Sequence, residues 1–85
     1  MIHAKLLECR QYTIDTLGRE KWADAVQSLS SSFYEGVKVS GLSFIEYAIL
    51  VNDSEEASKK LTQPDAARMI NLAVAVELTL KQSSN

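Results

Sequence analysis

The chain has 85 residues, 46% of them hydrophobic and 24% charged, with a net charge of −2 at pH 7. This composition is typical of one soluble domain and excludes a disordered tail, and the absence of a long uncharged apolar run excludes a membrane span. The small acidic excess argues against a protein that mainly coats nucleic acid or an anionic membrane.

The first half of the sequence predicts two amphipathic helices that meet at Gly18. Residues 2–17 place their apolar side chains within one arc of a helical wheel and their polar side chains opposite. In residues 19–35, apolar side chains recur every three or four positions, as in a helix packed against another helix. These side chains are Trp22, Val26, Leu29 and Phe33. Because the connection at Gly18 is so short, the two helices form either a tight hairpin or a continuous helix with a kink.

Residues 35–41 break this pattern and predict the main loop, since two glycines flank a short β-prone triplet. After this loop, Ser43 and Glu46 have the spacing of a capping box. They are expected to begin a short, almost wholly apolar helix that ends at Val51. A helix with so little polar surface is expected to be buried.

A second capping pair, Asp53 with Glu56, predicts the start of a separate polar helix. Its two Glu–Lys pairs, at positions 55–59 and 56–60, have the orientation that favours a solvated helix face.

Residues 64–81 predict the most apolar helix of the chain, with Pro64 near its start and Thr62 as the nearest capping residue. Apolar side chains occupy most of its circumference, so the helix is expected either at the centre of the fold or at a subunit interface. Residues 72–80 also alternate between larger apolar side chains and smaller or polar ones, which fits a strand. The length of the segment, its alanines and the proline favour the helix.

No group of residues in the sequence has the spacing of a catalytic, cofactor or metal site. Zinc sites need several Cys or His ligands, and the chain has one of each, His3 and Cys9, six residues apart on one helix. The three glycines lie outside any phosphate-binding pattern. The neighbouring carboxylates Glu55 and Glu56 stand beside lysines on a predicted solvent face, which does not suit general acid–base catalysis. We therefore expect a non-enzymatic protein with no cofactor and no metal.

Two charged residues fall where a helical wheel favours apolar ones. Arg10 lies near the centre of the apolar arc of 2–17, and Glu77 lies within the wide apolar arc of 64–81. In one interpretation both side chains reach a solvated rim, with Glu77 pairing locally with Lys81. In the other, Arg10 and Glu77 pair across a helix contact, within one chain or between two. A pair of this second kind fixes register more than it adds stability.

A second functional interpretation comes from residues 41–50 (GLSFIEYAIL) followed by residues 61–70 (LTQPDAARMI). This combination resembles the segment that leads into the helix-turn-helix of winged-helix regulators of the MarR family. The resemblance implies a small transcriptional regulator that binds DNA as a dimer. The next residues, 71–77, differ from a polar, basic recognition helix, because they carry no basic side chain and almost nothing able to contact base edges.

The short length of the chain favours association with a second copy or another partner. Folding so short a chain gains about as much from apolar burial as ordering it costs in entropy, so a second copy or another partner would add useful burial. The apolar positions of 19–35 and 64–81 also exceed what one small core needs. Tyr12 and Tyr34 lie off the main stripes and are further contact candidates. The main candidates for a partner or dimer contact are Trp22, Val26, Leu29, Phe33, Ile70, Val74, Glu77 and Arg10.

Together these features predict one all-α domain over residues 1–85, frayed at 82–85. Its four or five helices are expected to form a compact bundle, orthogonal or built from hairpins, that dimerises through a helix face. The expected function is regulatory and non-enzymatic, as an adaptor or inhibitor that binds another protein. A DNA-binding regulator of helix-turn-helix type is the alternative. The single Cys9 and the charges close to the N-terminus indicate a cytoplasmic protein, and no membrane contact is expected.

Overall fold

The computed structural model describes residues 3–59 and 65–83, and the side chains of residues 3–53 and 68–82. These residues form four α-helices, which are α1 (Ala4–Leu17), α2 (Arg19–Ser40), α3 (Phe44–Lys59) and α4 (Asp65–Ser83). No strand occurs in the described part of the chain. The prediction of an all-α bundle of four or five helices is therefore confirmed, and the strand alternative for residues 72–80 is wrong.

α4 lies at the centre of the bundle. It contacts α1, α2 and α3, whereas the described residues of α1 and α3 do not contact each other. Five of its side chains are exposed by 1% or less, and they point to all sides of the helix: Ala73, Val74, Ala75, Val76 and Leu78. The sequence left open whether this apolar helix lies at the centre of the fold or at a subunit interface. Because three other helices of the same chain cover α4, it lies at the centre of the fold.

The regular apolar positions of α2 face this core. Val26 and Phe33 are buried, and Trp22 and Leu29 are half-buried against the same cluster. The ring of Phe33 also meets the ring of Tyr47 of α3 edge to face, with 5.6 Å between their centroids. The predicted helix-packing stripe is therefore the surface by which α2 packs on α3 and α4.

The predicted loop over residues 35–41 is wrong, because α2 continues to Ser40 and only residues 41–43 connect it to α3. Packing stabilises helix where local propensity is poor. Val37 packs against the core cluster, and the Tyr47 ring lies so close to Gly36 that any side chain there would overlap it. The helix ends at Gly41, whose φ of +76° suits glycine and whose N–H donates to the Val37 carbonyl at 2.9 Å.

The capping box at the start of α3 is confirmed. The Ser43 N–H donates to Glu46 Oε1 at 3.0 Å, and the Glu46 N–H donates to Ser43 Oγ at 3.1 Å. The hydrogen bond from the Ser43 backbone, followed by one to its side chain, lowers the pKa of the Glu46 carboxyl. This carboxylate is therefore ionised at neutral pH, and its contribution to stability is lost as the pH falls through the lowered pKa.

The predicted helix start at Asp53 is wrong, since α3 is one continuous helix across this position. Its path there is fixed by α4: Asn52 Nδ2 donates to the Arg68 carbonyl at 3.3 Å, and Asn71 Nδ2 donates to Asn52 Oδ1 at 3.0 Å. A side chain already inside a helix has no terminal N–H groups to cap.

Some predictions for the end of α3 and the start of α4 concern residues or side chains that the structure does not describe. The Glu–Lys pairs at 55–59 and 56–60 lie outside the described side chains, and Thr62 and Pro64 lie outside the described residues. α4 begins at Asp65 and ends at Ser83, two residues beyond the predicted end.

Replacing Gly36 with alanine tests the packing that keeps the end of α2 helical. In an open helix this change stabilises the protein by about 0.5–1 kcal/mol. Here the new methyl group must displace the Tyr47 ring from Phe33, so we expect Gly36→Ala to destabilise the fold by about 1–3 kcal/mol in urea unfolding. Ser32→Ala, at an exposed position of the same helix, is the control and should change stability by less than about 0.5 kcal/mol. A stabilising Gly36→Ala would contradict this account.

Candidate interaction surface

Arg10 and Glu77 form an ion pair between α1 and α4. Arg10 Nε donates to Glu77 Oε1 at 2.7 Å, and the two side chains are 26% and 16% exposed. The hypothesis of a pair across a helix contact is confirmed, and the contact lies within one chain. A charge-assisted bond this short, largely shielded from water, holds α1 at one register along α4.

The ion pair stands beside a groove between α2 and α4. A cavity of about 410 Å³ opens there, with Trp22 and Val26 on one wall and Glu77 and Lys81 on the other. Three predicted contact residues are therefore neighbours in space, namely Trp22, Val26 and Glu77. The groove exposes little apolar surface, because Val26 is already buried in the core.

The remaining predicted contact residues serve the core of this chain. Phe33 and Val74 are buried, and Leu29 and Ile70 are half-buried against the same cluster. Phe33 and Val74 thus leave almost no side-chain surface for a second protein while the bundle is closed, and Val26 leaves only its small area in the groove. A partner contact made by the predicted residues is restricted to the half-buried ones. The physical reason is the central position of α4, which uses their apolar area internally.

The most exposed large apolar side chain among the described residues lies elsewhere, in the C-terminal half of α2. This side chain, Val39, is 82% exposed, and Tyr34 of the same helix is 48% exposed. Two adjoining depressions, of about 610 and 880 Å³, share Val39 and Glu35 in their walls. We call this surface the Val39 face and define it as Ser31, Ser32, Tyr34, Glu35, Lys38, Val39 and Tyr47.

The sequence interpretation identified Tyr34 as off the main stripe but missed Val39 and Tyr47. Val39 lies in the segment predicted as a loop, where no helical periodicity shows which way a side chain points. Once α2 is extended to Ser40, Val39 falls outside the core stripe, about 120° around the helix from its centre, and that phase is the signal that identifies it.

His3 and Cys9 are the only histidine and the only cysteine of the sequence. No group of three His, Cys, Asp or Glu residues in the described part of the chain could hold a metal ion. His3 caps α1, with its Nδ1 accepting the Lys5 N–H at 3.1 Å. Cys9 is half-buried, and its carbonyl accepts the Thr13 hydroxyl at 2.8 Å. Each of the two residues therefore has a local structural setting of its own.

The structure also gives evidence on DNA binding through α4 and on membrane-spanning helices. In a helix-turn-helix regulator, α4 would supply the side chains that enter the DNA groove. Here the buried side chains of residues 73–76 and 78 pack inside the bundle and do not face a DNA groove. Among the described residues, no helix is long and apolar enough to cross a membrane.

A scan against protein-family models matched none, and searches of curated proteins and of solved structures found no similar protein. The resemblance of residues 41–50 and 61–70 to MarR-family regulators therefore carries no family assignment. Function is inferred from the geometry of the chain itself.

A double-mutant cycle measures the coupling between Arg10 and Glu77. We expect Arg10→Met and Glu77→Gln each to destabilise the fold by about 1–3 kcal/mol, because each leaves a partly buried polar group without its partner. The double variant should be milder than the sum of the two by at least about 1 kcal/mol in urea unfolding.

Glu8→Gln, at an exposed position on α1, is the control for loss of a charge and should be nearly neutral. Additive effects of Arg10→Met and Glu77→Gln would show that the two side chains are not coupled.

Proposed function

We propose that this protein acts without catalysis, by binding another protein, and that the Val39 face is the contact surface. The observation that carries this proposal is the exposure of Val39, which borders both shallow depressions, with Tyr34 bordering one of them. Val39 is the most exposed large apolar side chain of the described residues, and a tyrosine and charges of both signs near it suit contact with another protein.

The composition of the Val39 face suits a protein partner. Tyr34 supplies a large, rigid ring, and its edge-to-face contact with Phe44, at 5.2 Å between centroids, holds that ring in place. Ser31 and Ser32 are small, so they leave room for a partner's side chains. Glu35 and Lys38 place both signs of charge at the rim, which favours a partner with a mixed polar border around an apolar centre.

The six large exposed apolar residues of the described chain are spread evenly, with two on each of α1, α2 and α3. They are Leu7 and Tyr12, Tyr34 and Val39, and Ile49 and Leu50. Val39, at 82%, is the most exposed of them, and that exposure supports α2 as the helix that a partner contacts. The regulatory role, as an adaptor or an inhibitor, and the cytoplasmic location remain predictions from the sequence.

A matched pair of charge insertions tests the proposed contact surface. We expect Val39→Lys to lower the recovery of the partner from a lysate of the source cells by at least about tenfold, since the partner would have to desolvate an ammonium group. The fold should be unchanged, because Val39 makes little contact with the rest of the chain. Circular dichroism and urea unfolding check that point.

Tyr12→Lys is the control, since Tyr12 is 60% exposed on α1, away from the Val39 face. It should recover the same partner within about twofold of the unaltered protein. Equal recovery by the two variants would contradict the assignment of the surface. Turnover of a small molecule that one substitution abolishes would contradict the non-catalytic function itself.

A further inference from the structure

The joint between α1 and α2 consists of a single residue. Gly18 has φ +88° and ψ 160°, a conformation that is nearly restricted to glycine. Its N–H donates to the Ile14 carbonyl at 2.8 Å, and its carbonyl accepts the Trp22 N–H at 2.9 Å. The helical hydrogen bonds therefore reach this residue from both sides. A change in the two backbone angles of Gly18 is enough to turn the hairpin into one helix.

A continuous helix at this joint has a favourable backbone. The N–H groups of residues 19, 20 and 21 would donate to the carbonyls of residues 15, 16 and 17, which end α1 in the hairpin. Residues 4–40 would then form one helix about 55 Å long. The opposing cost is the loss of the surface that α1 buries, because α1 would point away from its own α4.

α1 is attached to the bundle chiefly through α4. It contacts α2 only to a smaller extent and does not contact the described residues of α3. Thr13 is its one buried side chain, and the Arg10–Glu77 pair is its one ion pair to the rest of the described chain. The whole contact can therefore form again, residue for residue, between the α1 of one copy and the α4 of another.

We propose that two copies of this chain exchange their α1 helices, with Gly18 as the hinge, and that this exchange forms the homodimer. In that dimer Arg10 of each copy pairs with Glu77 of the other. The closed monomer and the exchanged dimer make the same α1–α4 contacts, so protein concentration and the conformation of Gly18 decide between them. This dimer does not use the Val39 face, so the proposed exchange is tested independently of the proposed partner binding.

Charge reversal across the ion pair tests the exchange directly. In a closed monomer, Arg10→Glu places two carboxylates together and Glu77→Arg places two guanidinium groups together. When the two variants are refolded as a mixture, an exchanged heterodimer restores an opposite-charge pair at both contacts. We expect the heterodimer fraction, measured by light scattering with native mass spectrometry, to exceed the homodimer fraction of either variant alone by at least about tenfold.

Mixing Arg10→Glu with the unaltered protein is the control, because that heterodimer has one favourable and one repulsive contact, as the two closed monomers together already have. It should form less heterodimer than the charge-reversed mixture does. A mixture of the two variants with no more dimer than either variant alone would overturn the proposal.

Gly18→Ala gives a test that keeps the ion pair intact. A methyl group at this position meets no atom within 4 Å, so the substitution acts through the backbone alone. Alanine disfavours φ +88° and favours continuous helix, so we expect the fraction of dimer at micromolar concentration to rise at least about tenfold over the unaltered protein. A folded Gly18→Ala protein that stays monomeric would contradict the role of Gly18 as the hinge of the exchange.

Discussion

The burial of α4 on all sides is the constraint on which the rest of the structure depends. A helix that is apolar around most of its circumference must be covered by several neighbours. α1, α2 and α3 provide that cover, and the regular apolar positions of α2 are used for it. Glu77 stands among the buried positions in the second half of α4, and Arg10 from α1 compensates its charge. The ion pair is therefore a consequence of bringing α4 to the centre.

This arrangement decides which surfaces remain for other molecules. Apolar area that the sequence assigned to a partner contact is used inside the chain, as the burial of Val26, Phe33 and Val74 shows. Among the described residues, Val39 of α2 is the most exposed large apolar side chain, and the Val39 face combines it with small and charged residues. Association through that face and exchange of α1 use different parts of the molecule. The two proposals are therefore compatible with each other in one molecule.

Sequence patterns were sufficient for features that depend on neighbours along one helix. The ranges of α1 and α4, the core stripe of α2 and the capping box of α3 follow from periodicity and spacing of this kind. The Arg10–Glu77 pair was also predictable, because a charge in an apolar arc needs a partner. The helical end of α2 was not, since Gly36 and Val37 are poor helix formers whose conformation is set by Tyr47 and the core. The Val39 face was missed for the same reason, because its helix phase exists only if that end is helical.

Native-state hydrogen exchange, followed residue by residue, tests the central position of α4 most directly. If α4 is covered by three helices, the amides of residues 73–78 should be the slowest in the chain and should exchange only through global unfolding. The amides of α1 should exchange faster, through an opening that releases α1 without unfolding α4. The contrary result would be amides of residues 73–78 that exchange as fast as those of α1, which would place α4 at the edge of the bundle.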